Sequence, residues 1–159
     1  MSFRDRNDAA DQLAAKLSLY RGQRPLVLAI PRGAVPMAKR IAEALQGELD
    51  VVLVRKLGAP YNAEFAVGSV DESGWIYVSE YASSAGVTPA YIEQEKMRQM
   101  ETMRKRRAQY TPIRPPIDPT GRIVIVVDDG LATGATMISA LHALRAKHPA
   151  RLICAVPVA

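Results

Sequence analysis

The sequence predicts an α/β fold in which helices flank a mostly parallel central sheet. Two observations support this prediction. Short, continuous apolar runs recur at residues 26–30, 49–55, 122–127 and 151–158, as expected of strands that are buried on both faces. Segments with helical periodicity separate these runs, so the chain opens as strand–helix–strand, which implies parallel strands and a right-handed crossover.

The first half of the chain predicts two helices around the first strand. Apolar residues recur at helical spacing over residues 6–19, with Asp5 or Asn7 available as the N-cap. The first apolar run then forms a strand, and a second helix is predicted over residues 35–45. Gly47 follows it, as is common just beyond a helix C-terminus. The second apolar run returns the chain to the sheet.

The middle of the chain departs from this alternation. The segment "KLGAPYNAEF" (residues 56–65) has the composition of a loop, and "AVGSV" and "WIYVS" flank "DESG" as the two strands of a hairpin. Thr88 and Pro89 suit the N-cap and first position of a long helix that reaches about Tyr110. A β-hairpin and a long inserted helix are therefore expected beside the α/β pattern.

The last third of the chain completes the sheet. Residues 111–121 contain four prolines and predict an extended connector. The third apolar run is a strand, residues 136–148 form a helix, and the fourth run is a core strand. We expect one domain over residues 1–159. Because the chain stops on its last strand, a missing C-terminal element or fusion to a larger protein is an open alternative.

Composition and charge restrict the class of protein. Of the 159 residues 48% are hydrophobic, enough for one domain with a substantial core. The net charge of +5 suits an anionic small substrate as well as nucleic acid. Cys154, the single cysteine, lies in an apolar run, so we expect a buried thiol in a reducing cytoplasm. No stretch approaches the roughly 20 apolar residues of a membrane span, and no signal peptide is recognisable.

The motif "VIVVDDGLATGAT" (residues 124–136) is the most informative stretch. A buried strand ends in two adjacent carboxylates, Asp128 and Asp129, and a loop of small residues then leads into a helix. In parallel sheets, ligands bind beyond the carboxyl ends of the strands. Small residues let backbone N–H groups converge on an anion, and the helix N-terminus and the hydroxyls of Thr133 and Thr136 favour a phosphate.

The two carboxylates require a different ligand group. They would repel a phosphate, so they suit hydroxyl donors or a divalent cation. A molecule with vicinal hydroxyls at one end and a phosphate at the other is a 5-phosphorylated ribose. Gly130 and Gly134 are too close for a P-loop, no lysine follows them, and a Rossmann fingerprint is absent. The alternative is a tight strand-to-helix turn with acidic N-capping.

This motif resembles the signature of the type I phosphoribosyltransferases, which bind phosphoribosyl pyrophosphate (PRPP). Three further segments, "FRDRNDAADQLA", "IPRGAVPMA" and "VRKLGAPYNAEFAVGSV", occur in the order found in a subgroup of unsettled substrate. The chain differs from the usual signature at Ala132 and Ala135, where Thr and Gly are more common. The resemblance implies a type I phosphoribosyltransferase-like α/β fold with a PRPP-binding loop. The residues of this loop are Asp128, Asp129, Gly130, Ala132, Thr133, Gly134, Ala135 and Thr136.

Two other loops gain roles from the resemblance. The segment "PRGA" after the first strand is the expected pyrophosphate loop, with Arg32 and Gly33 as its ligands; the alternative is a helix start with a surface arginine. Arg55 and Lys56 end the second apolar run, where they would meet the departing pyrophosphate. "KLGAPYNAEF" is the expected mobile loop that closes over the reacting centre and excludes water. Glu64 either orients this loop or contacts substrate; the alternative is a solvated acid.

The segment "MRQMETMRKRRAQY" (residues 97–110) concentrates positive charge. We expect a packed helix with a solvated basic face rather than a nucleic-acid site, since no aromatic stacking platform accompanies it. His142 and His148 are expected as surface or helix-capping residues, and no cluster has the spacing of a structural zinc site.

The resemblance implies transfer of a 5-phosphoribosyl group from PRPP to a nitrogen nucleophile, with release of pyrophosphate. Asp128 and Asp129 would hold the ribose hydroxyls near a Mg²⁺ bound through the ligand, and Arg55, Lys56, Asp129 and Glu64 form the expected catalytic set. The expected acceptor is a nucleobase, with "RKLGAP" favouring a purine, in nucleotide salvage by a cytoplasmic homodimer. Alternatives are a non-catalytic PRPP-binding regulator and the PRPP-site domain of a larger fused protein.

Overall fold

The computed structural model describes residues 4–31, 33–80, 82, 84, 86–110, 116–130 and 135–157. Within these residues the chain forms four α-helices and seven strands, and a 3₁₀ turn (Ser18–Tyr20) follows the first helix. None of the described helices is long and apolar enough to cross a bilayer. In chain order the elements are α1 (Arg6–Lys16), β1 (Leu26–Ala29), α2 (Val35–Leu45), β2 (Glu48–Val51), β3 (Val54–Ala59), β4 (Asn62–Asp71), β5 (Ile76–Val78), α3 (Pro89–Tyr110), β6 (Ile123–Val127), α4 (Ala135–Arg145) and β7 (Arg151–Ala155).

Four parallel strands form the central sheet in the order β2-β1-β6-β7, which confirms the predicted α/β fold. β1 and β6 are neighbours, with Leu26 opposite Val124 and Ala29 opposite Val127. The chain passes from β1 outward to β2 and later from β6 outward to β7, so the strand order reverses between β1 and β6. In open parallel sheets this reversal marks the crevice in which ligands bind.

Two apolar cores cover the two faces of this sheet, because successive side chains of a strand point to opposite faces. Val27 and Ala29 of β1 pack with buried residues of α1 and α2. Leu26 and Leu28 of the same strand pack with buried residues of α4. The central strands are therefore buried on both sides, as their continuous apolar runs predicted.

Helix caps explain where two of the helices begin. The Thr88 hydroxyl accepts a hydrogen bond from the Tyr91 backbone N–H at 3.2 Å, and α3 has its predicted bounds. At α1, Asp5 rather than Asn7 is the N-cap, since its carboxylate accepts from the Asp8 backbone N–H at 2.8 Å. α2 also has its predicted bounds, whereas α1 and α4 end three residues earlier than predicted.

The predictions for residues 49–55 and 56–65 were wrong. The first segment contributes to two strands, because the chain leaves the central sheet after Val51 and joins an antiparallel sheet in the order β3-β4-β5. The second segment, expected as a loop, forms most of β3 and the start of β4. The pairing shifts register on either side of Gly58, where an added Cβ would lie 2.5 Å from the Ala63 carbonyl oxygen. A glycine in a bulged ladder thus lets a loop-like sequence form strands. The predicted hairpin is confirmed as β4 and β5.

The last strand is less buried than the sequence predicted. β7 is an edge strand that pairs only with β6 in the described sheet. Cys154, expected to be buried, is exposed. Leu152 and Cys154 line an open groove with Ile138 of α4. Apolar composition indicates burial on both faces for central strands, but it does not do so at a sheet edge.

α3 is held to the core by its apolar face and by one buried arginine. Ile92 and Met103 are buried, so α3 is a packed helix, as predicted. Arg107 was expected on the solvated basic face, but its side chain is only 11% exposed and pairs with Asp50 and Glu72. The expectation was wrong because these carboxylates reach α3 from β2 and from the turn after β4.

The predicted connector at residues 111–121 is described in part. Residues 111–115 lie outside the described residues, and residues 116–119 have no regular structure, as predicted. The Ile117 backbone N–H donates to the Asp50 carboxylate at 2.9 Å. The connector is thereby tied to the same carboxylate that pairs with Arg107.

Candidate active site

The motif aspartates lie at the crevice between β1 and β6. The Ile30 backbone N–H donates to the Val127 carbonyl at 2.9 Å, and the Asp128 N–H donates to the Ala155 carbonyl at 3.3 Å. The ladder therefore continues one residue past β6, and Asp128 and Asp129 follow where the sheet ends. This is the edge at which an open parallel sheet binds its ligands.

Asp128 lies beside Asp129 in a partly buried position that disfavours its ionised form. The Asp129 backbone N–H donates to the Asp128 side chain at 2.8 Å, and both residues are half-buried. Burial raises the pKa of Asp128; the hydrogen bond from the Asp129 N–H opposes this, while the Asp129 side chain and its charge raise the pKa further. A raised carboxylate pKa means that the ionised form of Asp128 is incompletely stabilised at this site. Donated hydroxyl protons or a cation would supply the missing stabilisation.

Gly33 brings the loop after β1 into contact with Asp129. A Cβ at Gly33 would lie 2.4 Å from Asp129 Oδ2 and 3.1 Å from Asp129 Cγ. Any side chain at Gly33 would therefore displace the Asp129 carboxylate. The sequence suggested Gly33 as part of an anion-binding loop, and the structure adds that this loop touches the second motif aspartate.

Arg6 of α1 is a site residue that sequence reasoning missed. Its Nη2 lies 2.9 Å from Asp129 Oδ2, and the side chains of Arg6 and Asp129 are 66% and 32% exposed. The one available signal was that Arg6 falls in "FRDRNDAADQLA", a segment that shares the resemblance. An exposed ion pair contributes only about 0.2–1 kcal/mol, so a ligand can replace the guanidinium at small cost.

A cavity of about 510 Å³ lies between the sheet edge, β3 and α3. Pro31, Arg55, Lys56 and Thr136 come from segments that the sequence assigned to the site, and they all line this cavity. The remaining lining residues are Ile30, Val52, Leu53, Val54, Gly58, Ala63, Tyr91, Glu95, Arg98, Gln99, Met103 and Arg106.

Arg55 is the predicted cation whose position is best defined. Its Nε donates to Gln99 Oε1 on α3 at 2.9 Å, which fixes the side chain across the cavity. Burial lowers the pKa of Arg55, and the charges of Arg106 and Arg98 add to this effect. Lys56, the next residue, is exposed.

The other predicted residues divide into three groups. Glu64 is an exposed residue of β4 whose N–H donates to Asn62 Oδ1 at 3.0 Å, and it does not line the cavity. Gly130 is half-buried directly after the aspartates, and Ala135 opens α4. Outside the described residues lie Arg32, Ala132, Thr133 and Gly134.

The oxygen donors at this edge suit a magnesium ion that is held jointly with a substrate. Asp128 and Asp129 offer carboxylate oxygens, and Mg²⁺ is commonly bound by one or two carboxylates together with substrate phosphates and water. Among the described residues, no group of three or more His, Cys, Asp or Glu side chains could enclose a metal. The donor set therefore fits an ion bound through a ligand rather than a dedicated protein cage.

Sequence comparisons identify the family. The family model described as "Phosphoribosyl transferase domain" matches residues 4–159. The chain is 38% identical over 157 residues to Rv0571c of Mycobacterium tuberculosis H37Rv and to MT0597 of strain CDC 1551, which are named provisionally as phosphoribosyl transferases. Each alignment covers 98% of this chain and 35% of the relative, so the chain spans about a third of these proteins.

Solved structures share the fold. TT1426 from Thermus thermophilus is 46% identical, with a TM-score of 0.86, over 98% of this chain and 74% of that one. The purine phosphoribosyltransferase from Pyrococcus horikoshii is 18% identical, with a TM-score of 0.56, over 95% and 71%. The Trypanosoma cruzi hypoxanthine phosphoribosyltransferase in complex with its product IMP is 13% identical, with a TM-score of 0.53, over 95% and 64%. At such identities the last two show a common fold.

Proposed function

The chain belongs to the phosphoribosyl transferase domain family, and on that premise we propose that it transfers a 5-phosphoribosyl group from PRPP to a nitrogen acceptor and releases pyrophosphate. The observation that carries the proposal is the position of Asp128 and Asp129. The pair directly follows β6 at the reversal of strand order and precedes a segment of mostly small residues that leads into α4, and the pKa of Asp128 is raised, chiefly by burial.

The aspartates and the loop after them would bind the two ends of the ribose 5-phosphate. Asp128 and Asp129 accept hydrogen bonds from the 2- and 3-hydroxyls, and Asp129 exchanges its contact with Arg6 for the ribose. Residues 130–136 hold the 5-phosphate through backbone N–H groups, the Thr133 and Thr136 hydroxyls and the N-terminus of α4. Fixing both ends of the sugar aligns C1 for attack.

The leaving diphosphate would lie against the loop after β1. Arg32 and the backbone around Gly33 bind it, with Arg55 and Lys56 reaching it from β3. Positive charge grows on the ribose and negative charge on the diphosphate as the C1–O bond breaks, so fixed cations lower the barrier. A Mg²⁺ ion held between Asp128, Asp129 and the ligand would supply further charge neutralisation. No covalent enzyme intermediate is required.

A nucleobase is the proposed class of acceptor. The shared fold with phosphoribosyltransferases named for purine and hypoxanthine substrates supports this class. The cavity of about 510 Å³ has the volume of a small-molecule site and opens beside the proposed diphosphate loop.

The proposal is tested by calorimetric titration with PRPP and Mg²⁺, followed by pyrophosphate-release assays with purine and pyrimidine bases. The double variant Asp128→Asn, Asp129→Asn should weaken PRPP binding at least roughly 10- to 100-fold, because each lost charged hydrogen bond costs that much. Asp118→Asn is the control, since Asp118 is exposed and bonded only locally, to Thr120, in the contacts described. Unchanged affinity of the double variant would refute the ribose assignment. PRPP binding without pyrophosphate release for any base would favour the regulatory alternative.

A further inference from the structure

α3 contributes two arginines to the cavity that have no role in the proposed reaction. Arg98 and Arg106 line its α3 side, and Arg55 lines it from β3. The three charges affect one another, since Arg106 and Arg98 both lower the pKa of Arg55 in addition to the larger effect of burial. Three guanidinium groups therefore share one partly enclosed space.

The charges lining this cavity are not balanced. Within the described residues, the lining contains four cationic side chains and a single carboxylate, that of Glu95. Glu95 pairs with Arg98 at 2.7 Å. No described carboxylate lies within ion-pair distance of Arg55 or Arg106. A surplus of positive charge in a concave, partly desolvated space favours an anionic ligand.

The α3 side of the cavity combines the two arginines with one aromatic ring. Arg98 and Arg106 lie eight positions apart on α3, or about 12 Å along the helix axis at the usual rise. Met103, fully buried, lies between them in sequence. Tyr91, in the first turn of α3, lines the same cavity. Its hydroxyl donates to the Gly58 carbonyl at 2.5 Å, which fixes the aromatic ring. The ring of Tyr91 beside these cations matches a planar molecule with an acidic substituent, whereas the buried Met103 lies behind the exposed surface of the cavity wall.

Arg107 explains why Arg106 remains available to a ligand. Arg107 is buried against Asp50 and Glu72, on the side of α3 that packs on the sheets. Because successive residues of a helix point about 100° apart, fixing Arg107 directs Arg106 elsewhere. Arg106 is exposed and lines the cavity.

We propose that this α3 wall binds the acceptor substrate and that the acceptor carries a carboxylate or phosphate group. The inference rests on the proposed function, which assigns the phosphorylated ends of PRPP to the loops after β1 and β6 and to Arg55 and Lys56 of β3, and leaves the α3 arginines for the second substrate. It narrows the acceptor to nitrogen compounds with an acidic substituent. A neutral base would leave the positive charge of Arg106 without a carboxylate partner among the described residues, whereas Arg98 already pairs with Glu95.

The test compares acids with their neutral counterparts. The protein is titrated calorimetrically with two pairs of compounds, orotate with uracil and nicotinate with nicotinamide, and with inorganic phosphate. Each titration is done with and without saturating PRPP and Mg²⁺. The test variant is Arg98→Gln, Arg106→Gln. The control is Arg104→Gln, Lys105→Gln, which removes the same charge from exposed positions of α3 that do not line the cavity.

We expect at least one organic acid, and phosphate in the presence of PRPP, to bind the wild type and the control. The test variant should bind them roughly 10- to 100-fold more weakly while its affinity for PRPP is unchanged. The inference is overturned if acids bind no tighter than their neutral counterparts, or if the test variant loses PRPP affinity to the same extent. If the wild type does not bind PRPP but binds acids, and this binding requires Arg98 and Arg106, the proposed function is refuted while the anion site is confirmed.

Discussion

Replacing Arg107 with alanine should cost the protein much of its stability, because this arginine joins α3 to both sheets. Its side chain is 11% exposed, and those of its partners Asp50 and Glu72 are 1% and 18% exposed. One nitrogen pairs with Asp50, Nε lies 2.9 Å from Glu72 Oε2, and Nη2 donates to the Val51 carbonyl at 3.0 Å. Burial lowers the pKa of Arg107, but the hydrogen bonds that it donates to these two carboxylates, together with their negative charges, outweigh this effect and the pKa is raised.

The magnitude follows from what the substitution leaves behind. Removing one partner of a buried ion pair typically costs about 3–5 kcal/mol, because the other charge stays buried. Asp50 keeps hydrogen bonds from the Val51 and Ile117 backbone N–H groups, at 2.8 and 2.9 Å, and Glu72 can turn toward solvent. We therefore expect a loss at the lower end of the range, about 3 kcal/mol.

The matched control is Arg104→Ala, three residues earlier on the same helix. Arg104 is 73% exposed and pairs with Glu101, which is 51% exposed, so its loss should cost no more than about 0.5 kcal/mol. Urea unfolding followed by circular dichroism compares the two variants. Equal losses would refute the reasoning. The double variant Asp50→Asn, Arg107→Ala should regain part of the stability, and no recovery would mean that lost packing, not an unpaired charge, sets the cost.

Three further predictions concern the sheet edge. Gly33→Ala should weaken calorimetric PRPP binding about tenfold, because the methyl group displaces the Asp129 carboxylate; unchanged affinity would contradict this. Asp128→Asn should raise the melting temperature at neutral pH. The raised pKa of Asp128 means that its ionised form is less favourable in the folded state than in the unfolded state, and asparagine removes that charge. The advantage should shrink as the pH falls through that pKa, and a pH-independent difference would be evidence against it. Lys56→Ala should slow pyrophosphate release more than it weakens PRPP binding; if it mainly unfolds the protein, Lys56 is structural.

The elements that could be predicted are those whose local signals agree with their tertiary setting. The bounds of α2 and α3 followed from periodicity and from the Thr88 cap, and continuous apolar runs predicted the central strands. The run at residues 49–55 was misread because a change of sheet after Val51 leaves no mark in composition. Val52 and Leu53, between the two strands, are as buried as the strands themselves.

Part of the site was not predictable, because its contacts join distant segments. Asp128 and Asp129 were recognisable from adjacent residues and their position at a strand end. The contact between Arg6 and Asp129 spans 123 positions, and that between Arg107 and Asp50 spans 57. Nothing in the run "RKRR" indicates that one arginine is buried while its neighbour lines a cavity, since the partners that decide this belong to other elements.

The two sides of the candidate site therefore differ in how firmly they are held. At the sheet edge, Asp129 is held by an exposed pair with Arg6 that a ribose hydroxyl can replace at a cost of about 0.2–1 kcal/mol. On the other side, the buried Arg107 pairs fix α3, and with it Arg98 and Arg106. Loss of Arg107 should consequently weaken the binding of an acidic acceptor more than that of PRPP, because the proposed acceptor site lies on α3 itself, whereas α3 reaches the proposed PRPP site through the contact between Gln99 and Arg55. Equal losses for both ligands would mean that α3 also positions the PRPP loops.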